Sequence, residues 1–226
     1  LAEVAACIER RRAEVTAARA KLGAAEEIHA AMQGCLAWDP IFDPIKGRVV
    51  SPVSRHWNYG WGGYVLFCWD NYFAGAMAAA DDRDLAYANV VEITHEATPA
   101  GFVPNYAGAN GSTAWDRSQP PVGSLTVWSL YEKFGDRWLL EEVFPTLLKW
   151  NRWWPEHRDT GGLLCWGSDV TPPESALGFE RETVGVHDNQ GACYESGLDN
   201  TPLYDDIPFD EERNQLRLAD AGLNGL

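Results

Sequence analysis

The sequence predicts an all-α fold in which pairs of helices form hairpins and the hairpins are arranged as an α/α toroid. Three observations lead to this prediction. Helical periodicity recurs along most of the chain, Gly- and Pro-rich loops separate the helical segments, and no segment shows the alternation of apolar and polar residues that marks a β-strand. Aromatic residues and carboxylates concentrate in the loops and at helix starts, so a toroid would collect them at one end.

The N-terminal segment, residues 1–33, is predicted to be a single helix. Ala, Glu and Arg, which favour helices, fill most of its positions. An apolar residue recurs every seven positions, at Leu1, Ile8, Val15 and Leu22. Such an apolar face is expected to pack against a neighbouring structure. We therefore divide the chain into an N-terminal helix (1–33) that packs on the toroid and the toroidal domain itself (34–226).

The next segments alternate between loops and helices. Residues 34–66 predict a long ordered loop, because prolines interrupt any helix and the stretch is too aromatic for a flexible linker. Helices at 67–80 and 82–96 are predicted to form a hairpin. Further helices are predicted at 122–134, at 136–154 with a kink or restart at Pro145, after the segment 194–202, and at 211–221, with loops at 101–121 and 159–189. The total is about seven helices.

The composition argues against several classes of function. The chain of 226 residues carries 33 acidic and 18 basic residues, and its formal net charge of -15 disfavours nucleic acid, whose phosphates need clustered Lys and Arg. No apolar run is long enough to span a membrane and no signal-peptide pattern is present, so a cytoplasmic location is predicted. The cysteines lack the spacing of a zinc site and no phosphate-binding loop occurs, so neither metal nor cofactor is expected. The acidic residues at 205–206 and 210–212 could bind Ca²⁺ through oxygen ligands, but a solvated acidic loop is the simpler interpretation.

Tryptophan is the unusual component of the chain. All 11 tryptophans lie between Trp38 and Trp166. A Trp side chain combines a large flat apolar ring with an N–H donor, which suits the C–H faces and hydroxyls of a pyranose sugar. Core packing is the simpler explanation for most of these residues taken singly. The enrichment therefore indicates a carbohydrate ligand only if suitable carboxylates accompany it.

Asp199 is the candidate acid catalyst. It lies in the segment Tyr194–Pro202, in which Gly197 precedes it and Asn200 follows it, a pattern typical of a turn. Hydrolysis of a glycosidic bond needs an acid to protonate the leaving oxygen and a second carboxylate to activate water or to attack. Aromatic surroundings would raise the pKa of such an acid by desolvation. An aspartate that caps a helix or turn is the alternative, and the local residues do not separate the two.

Three segments resemble motifs of known glycosidases. Glu195–Pro202 resembles the acid-bearing motif of glycoside hydrolase family 63 and is similar to the Glu-Ser-Gly-Trp-Asp of family 37 trehalases. Trp69–Phe73 looks like the Trp-Asp-(any)-Tyr segment that lines the glycone site in both families. Arg117–Pro121 matches the trehalase-type Arg-Ser-Gln-Pro-Pro segment and is preceded by Gly101–Asn105. The three segments occur in the same order as in those families, across residues 60–205.

The resemblance implies an (α/α)6 barrel and an inverting, exo-acting α-glycosidase. In this interpretation Asp199 is the general acid. Asp70 and Gln119 would hold hydroxyls of the glycone, and a carboxylate suits this role because it accepts two hydroxyl protons in a fixed fork. Arg117 would bind near the acid or the sugar, and Trp69 would form a wall against the sugar ring.

Asn105 and Trp166 are further candidates for sugar binding, chosen only from their positions in loops. Two features depart from the family pattern. The general base of the family is a Glu well downstream of the acid motif, and no base motif is recognisable after Asp199. About seven helices also cannot close a twelve-helix barrel. Residues 34–226 are therefore interpreted as the N-terminal part of the catalytic domain. The base and the remaining C-terminal half would lie outside this chain, which is expected to be inactive alone.

The predicted substrate is an α-linked oligosaccharide or small glycoside, such as a short α-glucoside or α-mannoside. Two alternatives stay open within enzymes, namely a small glycosylated solute such as a glycosyl-glycerate, and trehalose. A third alternative is a non-catalytic carbohydrate-binding helical protein that keeps the cleft and lacks the base. The sugar, the linkage and the aglycone depend on subsite side chains, which the sequence alone does not arrange.

Overall fold

The structure, a computed structural model, describes residues 1–171, 186–220 and 222, and this part of the chain is mostly helical. Its seven α-helices are α1 Ala2–Ala20, α2 Glu26–Trp38, α3 Cys68–Ala78, α4 Arg83–His95, α5 Gly123–Phe134, α6 Arg137–Arg158 and α7 Asn189–Ser196. Its strands are β1 Ile41–Asp43, β2 Arg48–Val50, β3 Val65–Phe67, β4 Tyr106–Gly108, β5 Asp159–Thr160, β6 Leu163–Leu164, β7 Phe209–Asp210 and β8 Gln215–Leu216. Within the described residues, no helix has both the length and the apolar character needed to cross a bilayer.

Helices α3 to α6 form the centre of the hydrophobic core. Helix α3 packs against α4 and α5, and both of these pack against α6. A small residue lets α3 and α4 approach closely, since a Cβ atom at Gly75 would lie 2.6 Å from the side chain of Val90. The ring of Tyr72 stacks on Trp150 with 6.0 Å between ring centroids, which connects α3 to α6. The predicted helices at 67–80 and 82–96 are thus confirmed, and they pack as a pair.

Local sequence signals set the ends of these helices. The side chain of Asp82 caps α4 by accepting a hydrogen bond from the N–H of Leu85 at 2.9 Å. Gly135, with φ of 73°, ends α5 in the left-handed conformation, which confirms the predicted helix at 122–134. Helix α6 runs without a restart through Pro145 and continues past the predicted end to Arg158. A proline inside a helix costs about 3 kcal/mol, which burial of the apolar side chains that follow offsets.

The N-terminal segment is not the single helix that the sequence predicted. Helix α1 ends at Ala20, and Gly23 has φ of 54°, a left-handed conformation that interrupts the helix before α2 begins. Helix α1 has no buried residue, and Ile8 is 52% exposed. One apolar residue in seven is too narrow a stripe to enter the core. Helix α1 contacts α2, which contacts α3, and the domain division at residue 33 stays a prediction.

Helix α7 precedes the acid-bearing turn, whereas the sequence predicted a helix after it. Gly197, with φ of 73°, ends α7, so Asp199 follows the C-terminal end of the helix. The side chain of Asp188 caps the start of α7 by accepting from the N–H of Gly191 at 3.0 Å. The direction of the helix therefore places Glu195 in its last turn and Asp199 in the turn beyond.

The helix predicted at 211–221 is wrong for residues 211–220. Residues 211–216 form the turn and second strand of the β7–β8 hairpin, and a further turn follows at 218–220. The Asp210 side chain accepts hydrogen bonds from the N–H groups of Glu212 (3.0 Å) and Arg213 (3.1 Å), and Asn214 has φ of 59°. These side-chain bonds compete with the helical backbone bonds and favour a turn. Residue 221, and residues 172–185 of the loop predicted at 159–189, lie outside the described residues.

Four short antiparallel ladders lie among the described residues, although the sequence showed no strand pattern. Three of them lie at the predicted loops, and the β7–β8 ladder lies at the start of the helix predicted at 211–221. Strands of two or three residues are too short for the alternation of period two to appear. The β3–β4 ladder matters for the site, because Phe67 pairs with Tyr106 and the next N–H, that of Cys68, donates to the Asn105 carbonyl at 3.0 Å. The ladder thus places the start of α3 beside the loop at 101–121.

Candidate active site

The three motif segments meet at the start of α3. Trp69 and Asp70 lie in the first turn of α3, and the Trp69 N–H donates to the Gln119 side-chain oxygen at 3.1 Å. Gly197, at the end of α7, lies against the Trp69 ring so closely that a Cβ atom there would come within 2.5 Å of a ring carbon. The positive φ of Gly197 and this close approach both require glycine. Segments far apart in sequence are therefore adjacent at one place.

Two carboxyl groups of this place, Asp70 and Asp199, influence each other. Asp70 is half-buried and Asp199 is exposed at the surface. Loss of surrounding water raises the pKa of Asp70, and the negative charge of Asp199 raises it further. Loss of water also raises the pKa of Asp199, while the positive charge of Arg117 opposes this rise. A carboxyl group whose pKa is raised holds its proton to higher pH, which is what a general acid requires.

Arg117 is fixed by a residue that the sequence analysis did not single out. Its guanidinium donates to both carboxylate oxygens of Asp116 from one nitrogen, at 2.7 and 2.8 Å, and lies 4.8 Å from the centre of the Tyr194 ring. Asp116 is fully buried and also accepts from the Ser168 hydroxyl at 2.5 Å. The buried Nε of Arg117 has no hydrogen-bond partner among the described residues. Asp116 was missed because Asp beside Arg is common in any sequence.

Asn105 lies where the segments join. Its side-chain amide is buried and donates to the Tyr194 carbonyl at 2.9 Å. Its backbone N–H donates to the Arg117 carbonyl at 3.0 Å, and its carbonyl accepts from Cys68. The structure therefore brings Asn105 to the site, where it connects the loop at 101–121 to α7. Its predicted contact with a sugar stays a prediction.

Trp166 lies in the hydrophobic core. Its side chain is only 5% exposed, its ring N–H donates to the Tyr204 hydroxyl at 3.1 Å, and its ring meets the edge of Trp154. A ring with all its faces packed by protein offers little surface to a ligand. The sugar-binding role predicted for Trp166 is not tested by any contact of the structure, whereas its packing explains the residue fully.

The open space beside Asp70 is small. A pocket of about 160 Å³ is lined by Asp70, Phe73 and residues of α2 and the loop that follows β2. Ligand pockets usually enclose about 300–1,000 Å³, so this pocket alone does not surround a disaccharide. Among the described residues, no group of three or more His, Cys, Asp and Glu side chains is placed to hold a metal ion.

Comparisons with known proteins agree with the motifs. Residues 63–222 match the family described as mannosylglycerate hydrolase MGH1-like glycoside hydrolase domain. A probable trehalase from Oryza sativa subsp. japonica is 33% identical over 114 residues, which are 49% of this chain and 18% of the trehalase.

Two solved structures from Thermus thermophilus are also similar to the chain. GH63 mannosylglycerate hydrolase in complex with Tris and D-glycerate has a TM-score of 0.52 and 21% identity, over 82% of this chain and 43% of that protein. The complex of the GH63 mannosylglycerate hydrolase with glucose has a TM-score of 0.48 and 22% identity, over 65% and 36%. The first of these likenesses supports a shared fold. The chain spans less than half the length of each of these relatives.

Proposed function

The chain belongs to the mannosylglycerate hydrolase MGH1-like glycoside hydrolase domains, and we propose that it supplies the general acid and part of the glycone site of an inverting, exo-acting α-glycosidase. The observation that carries this proposal is the meeting of the three motif segments at the start of α3. There Asp199, with a raised pKa, lies in the turn next to Trp69 and within the field of Arg117. A carboxyl group with a raised pKa that lies among such motif residues is typical of a functional site.

The proposed reaction begins with protonation of the glycosidic oxygen by Asp199. Water attacks the anomeric carbon from the opposite face of the sugar, activated by a second carboxylate about 6.5–9.5 Å from the first. In this proposal the second carboxylate is the Glu of the family pattern and lies outside this chain. Asp70 accepts hydroxyl protons of the glycone, and the Gln119 amide group supplies donors, since its oxygen is already bound to the Trp69 N–H. Arg117 stabilises negative charge near the leaving group.

We propose that further helices of an (α/α)6 barrel complete the site. An exposed apolar groove of about 260 Å³ between α5 and α6 supports this proposal. Trp128 is 53% exposed and Phe144 59% exposed in the groove, and Leu125 beside them is 69% exposed. Apolar side chains that cluster at a surface mark a place where another structure packs. The small pocket beside Asp70 fits the same proposal, because a sugar needs walls from both halves.

The favoured substrate is a small α-glycoside. The family description names mannosylglycerate hydrolase, which supports a small glycosylated solute as one candidate. The likeness to the rice trehalase, 33% identical over 114 residues, supports trehalose as a second candidate. Turnover of a panel of glycosyl-glycerates, trehalose, α-glucosides and α-mannosides by the protein that contains this chain separates them. Nuclear magnetic resonance (NMR) of the first-formed sugar tests the mechanism, since inversion of an α-glycoside releases the β-anomer.

Asp199→Asn tests the acid assignment. Asparagine keeps the shape of the side chain and cannot donate an acidic proton, so kcat is expected to fall by about 10²–10⁴-fold while sugar binding is largely retained. Asp206→Asn is the matched control, because Asp206 is also an exposed aspartate after α7 and lies outside the proposed site. Unchanged turnover in Asp199→Asn contradicts the assignment. Sugar binding with no turnover of any glycoside by the wild-type protein favours a non-catalytic binding protein.

A further inference from the structure

Glu195 is the acidic residue of the acid-bearing motif that the proposed reaction does not use. Its side chain is completely buried, whereas Asp199 in the next turn reaches solvent. The Glu195 carboxylate accepts four hydrogen bonds. Two come from the Arg158 guanidinium, at 2.6 and 3.0 Å, and two come from the backbone N–H groups of Ser118 (3.0 Å) and Gly167 (2.6 Å).

The four donors connect separate parts of the site. Ser118 lies between Arg117 and Gln119, the two residues of that segment proposed to meet the substrate. Gly167 lies in the loop after β6, and Arg158 is the last residue of α6. One carboxylate in the last turn of α7 therefore holds the segment 117–119 at a set distance from the turn that carries Asp199.

The partners of Glu195 are themselves immobilised. Arg158 is fully buried, donates to Asp169 at 2.8 Å and lies 4.5 Å from the centre of the Trp153 ring. The Ser118 hydroxyl donates to the Val103 carbonyl at 2.6 Å and accepts from the Trp150 ring N–H at 3.0 Å. Any displacement of the Glu195 carboxylate is thus transmitted to the segment 117–119 instead of being absorbed by loose side chains.

The buried Arg158–Glu195 ion pair is better suited to fixing the geometry of the site than to stabilising the fold. Burial of two ions costs free energy that their attraction returns only in part, and apolar side chains of equal volume are often as stable. An apolar residue cannot accept the N–H groups of Ser118 and Gly167, and buried unpaired N–H groups are costly. The carboxylate is the side chain that joins these three segments in one arrangement.

We propose that Glu195 is a positioning residue, which with Arg158 holds the segment 117–119 against the end of α7 so that Asp199 lies beside Arg117 and the Trp69 ring. The inference rests on the acid role proposed for Asp199. Glu195 itself touches no substrate, because its carboxylate is enclosed by the four donors.

Three titratable or charged groups interact electrostatically with Asp199. They are the Arg117 guanidinium, the Asp70 carboxyl on α3 and the Cys193 thiol on α7, whose pKa burial raises and the charge of Asp199 raises further. Burial makes the largest contribution to the raised pKa of Asp199. Release of the segment 117–119 would move the Arg117 guanidinium away from Asp199. Because that positive charge opposes the rise, the pKa of Asp199 would then rise further.

The test is the pKa of Asp199 measured by carboxyl-carbon NMR in the 226-residue chain, with and without Glu195→Gln. Glutamine has the same shape, but it lacks the charge that binds Arg158 and cannot accept all four hydrogen bonds. The expected result is a further rise in the pKa of Asp199 in the variant, because Arg117 no longer lies beside it. An unchanged pKa in a folded Glu195→Gln protein overturns the proposal.

Glu96→Gln is the matched control. Glu96 is a partly buried carboxylate that pairs with Arg48 at 2.5 Å, beside the β1–β2 ladder, and among the described residues no hydrogen bond connects it to the motif segments. This variant is expected to lower stability and leave the pKa of Asp199 unchanged. An equal shift in both variants would show that general destabilisation is the cause, and the proposal would fail.

If Glu195→Gln does not fold, Arg158→Lys tests the positioning role of the Arg158–Glu195 pair. Lysine keeps the positive charge but cannot bridge Glu195 and Asp169 as the planar guanidinium does, so a rise in the pKa of Asp199 is again expected. If neither variant folds, the pair serves core stability alone and the proposal is overturned. The measurement needs no hydrolysis, so retained turnover in Asp199→Asn would refute the acid role without changing what the NMR reports about Glu195.

Discussion

Two buried ion networks of similar composition hold different parts of the molecule together. Arg158 and Glu195 join α6, α7 and the segment that carries Arg117. Arg48 lies near Asp43 and Glu96 and connects the β1–β2 ladder to α4. Both arginines are almost completely buried. The difference shows that burial and pairing by themselves do not identify a functional site. The segments that the partners belong to identify it.

The two networks also differ in what would be left if the arginine were removed. Glu195 would remain fully buried with two backbone N–H donors. Asp43 would keep the Tyr64 hydroxyl at 2.5 Å and two backbone N–H groups. Glu96 would keep Lys46 at 2.5 Å and some contact with solvent. Of the two buried carboxylates, Glu195 is therefore left with fewer hydrogen-bond donors, two against three for Asp43.

The largest expected effect is that of Arg158→Met. The variant leaves a buried charge without its partner, so the free energy of unfolding is expected to fall by about 3–5 kcal/mol. Arg48→Met is expected to cost about 1–3 kcal/mol, because its carboxylates keep other donors. Urea unfolding of the two variants measures both losses of free energy, and equal m-values show that the losses can be compared directly. Equal losses would show that the two networks differ only in location.

The pH dependence of stability is expected to have opposite signs in the two regions. Burial tends to raise the pKa of Asp43, but its hydrogen bonds to Tyr64 and the backbone outweigh burial and lower the pKa. The stability that Asp43 contributes is therefore present above the unfolded pKa and is lost as pH falls through the folded pKa. The raised pKa of Asp70 has the reverse consequence, because the folded state binds the proton more tightly and stability falls as pH rises from the unfolded to the folded pKa.

Paired substitutions check these signs. Asp70→Asn is expected to raise the free energy of unfolding at pH 7, by less than Arg158→Met lowers it. Below the unfolded pKa of Asp70, the substitution is expected to change the free energy of unfolding little. Asp43→Asn is expected to lower the free energy of unfolding at pH 7, with a loss that shrinks as pH falls. Urea unfolding at several pH values is the measurement. A stabilisation by Asp70→Asn that is independent of pH would contradict the assigned cause.

The smallest expected effect belongs to an exposed hydrogen-bonded pair that serves as the reference for both networks. His95 and Glu142 lie 2.8 Å apart, and both side chains are 47% exposed. Glu142→Gln is expected to change the free energy of unfolding by less than about 1 kcal/mol, because water and salt screen exposed pairs. Thermal unfolding of this variant and of Arg48→Met compares the stability contributed by an exposed pair with that contributed by a buried pair. If Glu142→Gln lowered the free energy of unfolding as much as Arg48→Met, burial would not explain the difference between exposed and buried pairs.

Part of the fold and site could be predicted because the signals are local. The Asp82 cap and Gly135 mark helix ends directly in the sequence, and the predicted helices at 67–80, 82–96 and 122–134 were confirmed. The segments with Trp69, Arg117 and Asp199 were identified by residue type and order. The helix at 211–221 was wrong because the side-chain bonds of Asp210 favoured a turn.

By itself the sequence determined the main helices, the three motif segments and the glycoside hydrolase family, because each depends on a pattern of residues that are close together in the sequence. Only the tertiary structure decided which side chains are buried. Within one motif Glu195 turns into the core and Asp199 out to solvent, Trp166 packs in the core, and the apolar residues of α1 stay exposed. Burial depends on partners that are distant in sequence, such as Ser118 and Arg158 for Glu195, and no local pattern encodes them.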